Sequence, residues 1–281
     1  MGGARQDIET HVARLHGNGR LRVWSLIVTF FGDAIALRGG RVALSVLQDA
    51  MALLGIEQGA VRTALSRLAK DGWVVRDRDG RLSYYELSPQ GRFAFDEATR
   101  RIYSAGPAEW RGDWTVAITN TDHSDRLREQ GFVPLGGPAW LKPGKASGAL
   151  PDSVLVIHGG GTAFPPGLLR LWDTDKLAAQ YDAFIATWQK FNATGLEPGQ
   201  AMAARTLLIH DWRRIVLRDP NLPTSLLPCD WAGTAALDLT RRLYAGLADQ
   251  SERWLDAASL PPTTSAGGMA GRFNVLRNIA E

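Results

Sequence analysis

The sequence predicts an α+β protein of several domains, and three observations lead to this prediction. Its 281 residues exceed the length that one hydrophobic core usually serves, since cores rarely stay single beyond about 250 residues. Apolar residues recur at helical spacing in the first third, alternate as in strands in the middle, and return to helical spacing near the C-terminus. Ten Trp, nine Phe and five Tyr require a packed interior, which excludes disorder for most of the chain.

Three helices are predicted in the N-terminal third. Apolar residues at helical spacing predict the first between Val23 and Phe31 and the second between Leu44 and Leu54, with Gly55 just past its end. The third has Val61, Leu65 and Leu68 on one face and polar residues on the other, and it stops near position 72.

A hairpin and a fourth helix follow the third helix. The dipeptide Asp79-Gly80 suits the positive φ angles of a tight turn and separates two runs typical of strands, 73–78 and 82–87. Ser88 as N-cap and the proline after it begin a helix that ends near Tyr103. We expect residues 104–107 to form a hinge.

The rest of the chain predicts a small α+β domain and a helical domain. The middle contains alternating strands and a short helix that Thr121 or Asp122 would cap. Three long amphipathic segments then predict helices. The predicted domains are residues 20–103, residues 108–173 and residues 174–258, with a flexible tail at 259–281.

Composition and motifs exclude several classes of protein. No apolar run is long enough for a transmembrane helix, and no secretory signal is evident, so we expect a cytoplasmic location. Cys229 is the single cysteine and no two histidines have helical metal-ligand spacing, so we expect no disulfide within the chain, no metal site and no cofactor. Net charge is +3, with 15 Lys and Arg against 11 Asp and Glu in residues 1–103, a mild excess that suggests a polyanionic partner.

Three helices followed by a charged hairpin are typical of a winged helix-turn-helix module. In that module the third helix enters the major groove of DNA, and the hairpin approaches the phosphate backbone. We assign base contacts to Arg62, Thr63, Ser66 and Arg67, backbone contacts to Lys70, Arg78 and Arg81, and a further DNA-binding role on the hairpin to Arg76. The alternative is that these are ordinary solvated side chains.

Signals for catalysis are weak. His158 and the three glycines after it resemble the oxyanion loop of esterases, but the chain has no G-x-S-x-G motif to supply a nucleophile. Asp122 could bind a metal in a nuclease, although helix capping accounts for it more simply. We therefore expect no enzyme; the alternative is a nuclease or thioesterase that uses the central domain, with the helix-turn-helix as a DNA tether.

Three stretches resemble the PaaX family of phenylacetate-degradation repressors: residues 31–40, residues 54–91 and residues 210–233. The resemblance covers about residues 22–256. It implies a transcriptional repressor with a winged N-terminal domain, a central ferredoxin-like domain similar to that of Cas2 proteins, and a helical C-terminal domain. It also implies a homodimer that binds palindromic operator DNA and is released by an aryl-CoA thioester such as phenylacetyl-CoA.

Such an effector would need arginines for its phosphates and aromatic side chains for its aryl group. The candidates, chosen by chemistry alone, are His210, Trp212, Arg213, Arg214, Arg218, Trp172 and Tyr181. The alternative is that Trp212 packs inward while the arginines face water or pair with Asp211 and Asp219. We expect the proline-rich loop 219–231 to be a rigid packing element.

Overall fold

The structure, a computed structural model, describes residues 2–17, 21–104, 106, 110–146, 148–160, 167–263 and 272–275, without the side chains of 2–6, 274 and 275. The architecture is mixed α+β, as predicted. Contacts divide the chain into two units. The first contains residues 1–105, 184–217 and 236–281, and the second contains residues 106–183 and 218–235. In the described part of the chain, no helix is long and apolar enough to cross a membrane.

The N-terminal part of the first unit follows the predicted order of helices, hairpin and helix. Its elements are α1 (Gly2–Gly17), α2 (Val23–Phe30), β1 (Arg41–Ala43), α3 (Leu44–Ala52), α4 (Gln58–Lys70), β2 (Val74–Asp79), β3 (Leu82–Leu87) and α5 (Pro89–Ile102). The three strands form an antiparallel sheet in the order β1-β3-β2. Neither α1 nor β1 was predicted. Strand β1 has three residues, which are too few to show an alternating pattern.

The start of α5 is fixed to the base of the hairpin. Ser88 is the N-cap, as predicted, and its Oγ accepts from the Gly91 amide at 2.9 Å. The same hydroxyl donates to the Gly72 carbonyl at 2.5 Å. A Cβ at position 91 would lie 2.3 Å from the Trp73 carbonyl oxygen, so only glycine allows α5 to approach the hairpin this closely. The hairpin and α5 are therefore positioned together.

The later helices change the expected domain division. They are α7 (Thr174–Trp188), α8 (Pro198–Val216), α9 (Ala232–Ala257) and the short α10 (Arg272–Val275). The sequence predicted a separate helical domain, but α8 packs against α1, α2 and α5 within the first unit. Apolar periodicity shows that a helix face is buried and does not show against which element, so it could not predict this packing.

The expected flexible tail is corrected at two positions. Arg272 and Phe273 are both buried in the first unit. Arg272 pairs with Asp33, and the ring of Phe273 packs edge-on against those of Tyr103 and Tyr244. These partners lie far away in sequence. The remaining tail residues 264–271 and 276–281 lie outside the described residues.

The second unit is built on one four-stranded sheet. Its elements are β4 (Asp113–Ile118), α6 (Ser124–Glu129), β5 (Val133–Gly136), β6 (Ala139–Pro143) and β7 (Leu155–Gly160). The strand order is β5-β6-β4-β7, and all neighbours are antiparallel. One face packs on Leu127 of α6, and the other packs on Trp172 and Leu222. Strand β5 was not predicted, because Pro134 and a register shift interrupt its alternation.

The expected helix cap at the start of α6 needs one correction. The N-cap position is His123, without a side-chain capping bond. Asp122 lies one residue earlier, where its carboxylate accepts from the Ser124 amide at 3.2 Å. This hydrogen bond lowers the pKa of Asp122.

Candidate nucleic-acid interface

Helix α4 has one buried and one exposed face. Val61, Ala64, Leu65 and Leu68 are buried, and α4 packs against α2 and α3. The opposite face is polar. Residues 63, 66, 67 and 70 lie one, four, five and eight positions after Arg62, and this spacing places all of them on the same side of the helix as Arg62. All five helix candidates lie there and are exposed: Arg62, Thr63, Ser66, Arg67 and Lys70.

The exposed face of α4 is cationic. The helix contains two arginines and a lysine and no acidic residue. Arg67 Nε lies 3.6 Å from Asp71 Oδ2 just past the helix end, and both side chains are exposed, so the pair is weak. Among the described residues, Arg62 and Lys70 form no ion pair within 4.0 Å. These cations are available to a polyanion.

The hairpin separates its charges by face. Arg76 and Arg78 pair in register with Tyr85 and Ser83, so both lie on one face of β2, and the two aspartates of the strand lie on the other. The Arg76 guanidinium donates to Ser83 Oγ at 2.8 Å. Arg76, Arg78 and Arg81 are all exposed. Since residues 74–87 also contain two Asp and one Glu, the hairpin has no net charge and α4 is the more cationic element.

Of the four effector candidates on α8, His210 and Trp212 are buried and Arg213 is half-buried. Trp212 packs inward, and its Nε1 donates to the Ile102 carbonyl at 2.8 Å. His210 Nδ1 lies 3.1 Å from Thr29 Oγ1. Arg213 Nη1 donates to the same hydroxyl at 3.0 Å. Arg214, by contrast, is exposed. These four candidates belong to the first unit.

The other three candidates belong to the second unit. Tyr181 Oη donates to Asp219 Oδ2 at 2.5 Å. Trp172 and Arg218 line a pocket of about 350 Å³ together with Lys176. In the same unit, Leu222 of the loop 219–231 packs with Trp172 in the core, in agreement with the packing role expected for this loop.

His210 makes folding sensitive to acid. Burial, followed by nearby arginines, lowers its pKa to about 3. The unfolded chain takes up a proton near the ordinary value of 6.5, so the free energy of unfolding falls as the pH drops from about 6.5 to 3, by up to about 1.4 kcal/mol per pH unit from this group. His210→Gln should have a slope smaller by that amount in urea titrations between pH 4 and 6. Equal slopes for the two proteins would contradict this assignment.

A buried ionic cluster in the first unit was not predicted from the sequence. Its centre is Asp33, in a π-helical turn at Phe31–Ile35 that continues from α2. One carboxylate oxygen accepts from Arg205 at 2.6 Å. The other accepts from Tyr103 at 2.5 Å and Tyr244 at 2.8 Å.

The cluster balances three carboxylates with three arginines. Arg272 lies 3.2 Å from Asp33, and Arg205 also contacts Glu252 at 2.6 Å. The third arginine and third carboxylate, Arg38 and Asp256, are 2.7 Å apart. Burial acts to raise the pKa of Asp33, but Arg205 and Arg272 outweigh it, so its pKa is lowered. The signal in the sequence was one acidic residue inside an otherwise apolar segment.

The residues suggested for catalysis are not assembled into a site in the described part of the chain. Asp122 is exposed. His158 Nδ1 lies 2.8 Å from Thr115 Oγ1 on the neighbouring strand. No group of three His, Cys, Asp or Glu side chains that could hold a metal is found among the described residues. Gly161, the last glycine after His158, lies outside them.

Comparisons with known proteins agree with the sequence resemblance. Residues 22–91 match the family model described as PaaX-like protein, and residues 172–257 match PaaX-like protein C-terminal domain. The chain is 34% identical over 255 residues to the transcriptional repressor PaaX of Escherichia coli (strain K12), covering 80% of each chain. The fold is similar to that of the uncharacterized protein Rv0674 from Mycobacterium tuberculosis, with a TM-score of 0.55 and 21% identity over 82% of this chain and 96% of that one. The chain belongs to the PaaX family of transcriptional regulators, and this homology supports a repressor role.

Proposed function

We propose that the protein represses transcription by binding operator DNA through a winged helix-turn-helix formed by α2 to β3. The observation that carries this proposal is the exposed face of α4, which presents three cations and two hydroxyls with no acidic residue among them. Arginine can donate two hydrogen bonds to guanine, and Ser and Thr can contact any base or a phosphate. Family membership supports the same conclusion.

The hairpin contributes contacts to the DNA backbone. Arg76 and Arg78 share a face of β2, and Arg81 follows the turn at Gly80. Lys70 ends α4, on its cationic face. Contacts of this kind set the register of a protein on the duplex and carry little sequence information. We assign sequence selection to α4 and anchoring to Lys70 and the hairpin.

For the second unit we propose a ferredoxin-like fold of the kind found in Cas2 proteins. The sheet order β5-β6-β4-β7, with a helix between the first two strands along the chain, supports this assignment. Between β6 and β7 the described residues contain no helix, which departs from the usual two-helix pattern. We propose a structural rather than a catalytic role for this unit, in a cytoplasmic protein.

We propose a homodimer that binds two inverted half-sites. A dimer contacts half-sites one or more helical turns apart, so a small rotation of one recognition helix weakens binding at both. Helix α5, fixed to the hairpin by Ser88 and Gly91, is the element that would transmit such a rotation. A hundredfold loss of affinity requires a coupling free energy of about 2.7 kcal/mol, within the range usual for allostery.

The effector we propose is an aryl-CoA thioester such as phenylacetyl-CoA, which releases the operator. The test is a footprint on duplexes selected from a randomised pool, with and without a panel of CoA thioesters. We expect the protein to protect two inverted half-sites. Phenylacetyl-CoA should abolish this protection, and CoA alone should leave it unchanged. Selection of no preferred duplex would contradict the repressor assignment, and protection unchanged by every aryl-CoA would contradict the effector assignment.

A further inference from the structure

Arg41 crosses one face of the three-stranded sheet in the first unit. It begins β1, an edge strand that pairs with β3. Its guanidinium carbon lies 3.9 Å from the ring centre of Tyr84 on β3. Its Nη2 donates at 2.7 Å to Asp77 Oδ2 on β2, the strand at the other edge of the sheet. One side chain therefore connects all three strands, and it is not among the DNA-binding residues assigned above.

The face that Arg41 crosses carries the acidic residues of the hairpin. Side chains alternate between the two faces of a strand, so Asp77 and Asp79 share a face of β2. Glu86 of β3 lies in register with Arg41 and on the same face. Among the described residues, Arg41 is the one cation that forms an ion pair there. The sheet therefore presents three carboxylates on this face, and a single arginine offsets one of them.

The contacts of Arg41 contribute little to the stability of the fold. The side chains of Arg41 and Asp77 are 40% and 56% exposed, and an ion pair in water is weak because both partners are already hydrated. A cation over the ring of a partly exposed tyrosine adds a contribution of similar size. We therefore expect the main effect of Arg41 on the placement and charge of the hairpin, not on folding.

Asp77 lies between the two arginines of β2 to which we assign phosphate contacts, Arg76 and Arg78. Its carboxylate also accepts from the Arg78 amide at 2.8 Å, which holds it beside the residues that meet DNA. A carboxylate without a counter-charge at this place would repel the phosphates. Arg41 supplies that counter-charge, and the same ion pair holds β2 in position relative to β1.

We propose that Arg41 is a positioning residue for DNA binding. It holds the hairpin against β1 and offsets the charge of Asp77, so that Arg76 and Arg78 reach the phosphate backbone. Arg41 acts through the hairpin and does not itself contact DNA. This inference rests on the function proposed above.

The test is a set of double-mutant cycles on a duplex selected by the wild-type protein, with affinity measured by gel shift. Arg41→Gln should weaken binding about tenfold, because an exposed ion pair and a cation–π contact together correspond to about one decade. In the Asp77→Asn background the same change should cost less than about threefold, because the charge to be offset is gone. Arg78→Ala should also cost less in the Arg41→Gln background, since a hairpin that is not held in place makes fewer phosphate contacts.

Arg128→Gln is the matched control. Arg128 belongs to the second unit and is 59% exposed, pairs with Asp125 at 3.6 Å and lies 5.3 Å from the ring centre of Trp140. It therefore makes the same two kinds of contact in the other unit, and its loss should leave the affinity for DNA unchanged. Circular dichroism and urea unfolding establish that each variant is folded.

Three results would overturn the positioning role. A loss for Arg41→Gln no larger than that for Arg128→Gln would remove Arg41 from DNA binding. Equal losses for Arg41→Gln with and without Asp77 would show that Arg41 contacts DNA directly. Equal losses for Arg78→Ala with and without Arg41 would restrict Arg41 to folding. In all three cases the wild type still binds its duplex and the proposed function stands, whereas a wild type that binds no selected duplex overturns both.

Discussion

Replacing Asp33 by asparagine is expected to reduce the free energy of unfolding by about 3–5 kcal/mol, the usual cost of removing one partner from a buried ion pair. The carboxylate is 2% exposed and lies against Arg205, which is fully buried, and Arg272. Asparagine keeps the size of the side chain and removes its charge. Both guanidiniums would then lose their closest counter-charge in an interior where water cannot replace it.

Urea unfolding followed by tryptophan fluorescence measures this effect. The matched control is Asp238→Asn, because Asp238 is exposed and lies 3.5 Å from Arg241 one helical turn away. Exposed pairs of this kind contribute less than about 1 kcal/mol, so the control should unfold almost as the wild type does. If Asp33→Asn lost no more stability than Asp238→Asn, the cluster would not have the role assigned to it.

Replacing Arg67 by alanine is expected to weaken operator binding by about 1–3 kcal/mol and to relax the preference for the base that it contacts. Arg67 lies on the cationic face of α4, and its pair with Asp71 is exposed and 3.6 Å long. Such a pair costs little to break, so the side chain is available to a base edge. Because little free energy is lost when the pair with Asp71 breaks, most of the interaction free energy between Arg67 and DNA should contribute to the measured affinity.

Arg78→Ala is the comparison for this measurement. Arg78 lies on the hairpin, where we assign contacts to phosphates, so its loss should weaken all duplexes similarly and flatten the salt dependence by about one unit of slope. Gel shifts across salt concentrations and operator variants separate the two patterns. Equal losses on every duplex for Arg67→Ala would show that this side chain contacts backbone and not base.

Regular spacing in the sequence was sufficient to predict most elements. Helix α4, the hairpin and the cap at Ser88 could be predicted because their signals lie within a few residues: an apolar stripe, an Asp-Gly turn and a Ser-Pro start. The exposure of all eight DNA-binding candidates also follows from local pattern, since a polar face opposite a buried one must meet solvent. Strand β1 was missed because it has three residues, and β5 was missed because Pro134 and a register shift interrupt its alternation.

Contacts between distant residues could not be predicted from spacing. Arg205 and Arg272 lie 172 and 239 positions from Asp33 in the sequence. No local sequence pattern indicates that these residues contact one another. The effector candidates show the same limit. Arg213 and Trp172 were grouped by chemistry, but the structure assigns them to separate units. Only the fold reveals which arginine of α8 is half-buried and which lies in solvent.

Directed cleavage of DNA from position 66 tests the central claim, that the exposed face of α4 lies in the major groove of the operator. The single cysteine, Cys229, makes this feasible. Ser66→Cys combined with Cys229→Ser would carry an iron chelate, and the unmodified sequence labelled at Cys229 would serve as the control. We predict that the label at position 66 cleaves both strands within each half-site. A protein that still binds the operator but cleaves no closer from position 66 than from Cys229 would contradict the account.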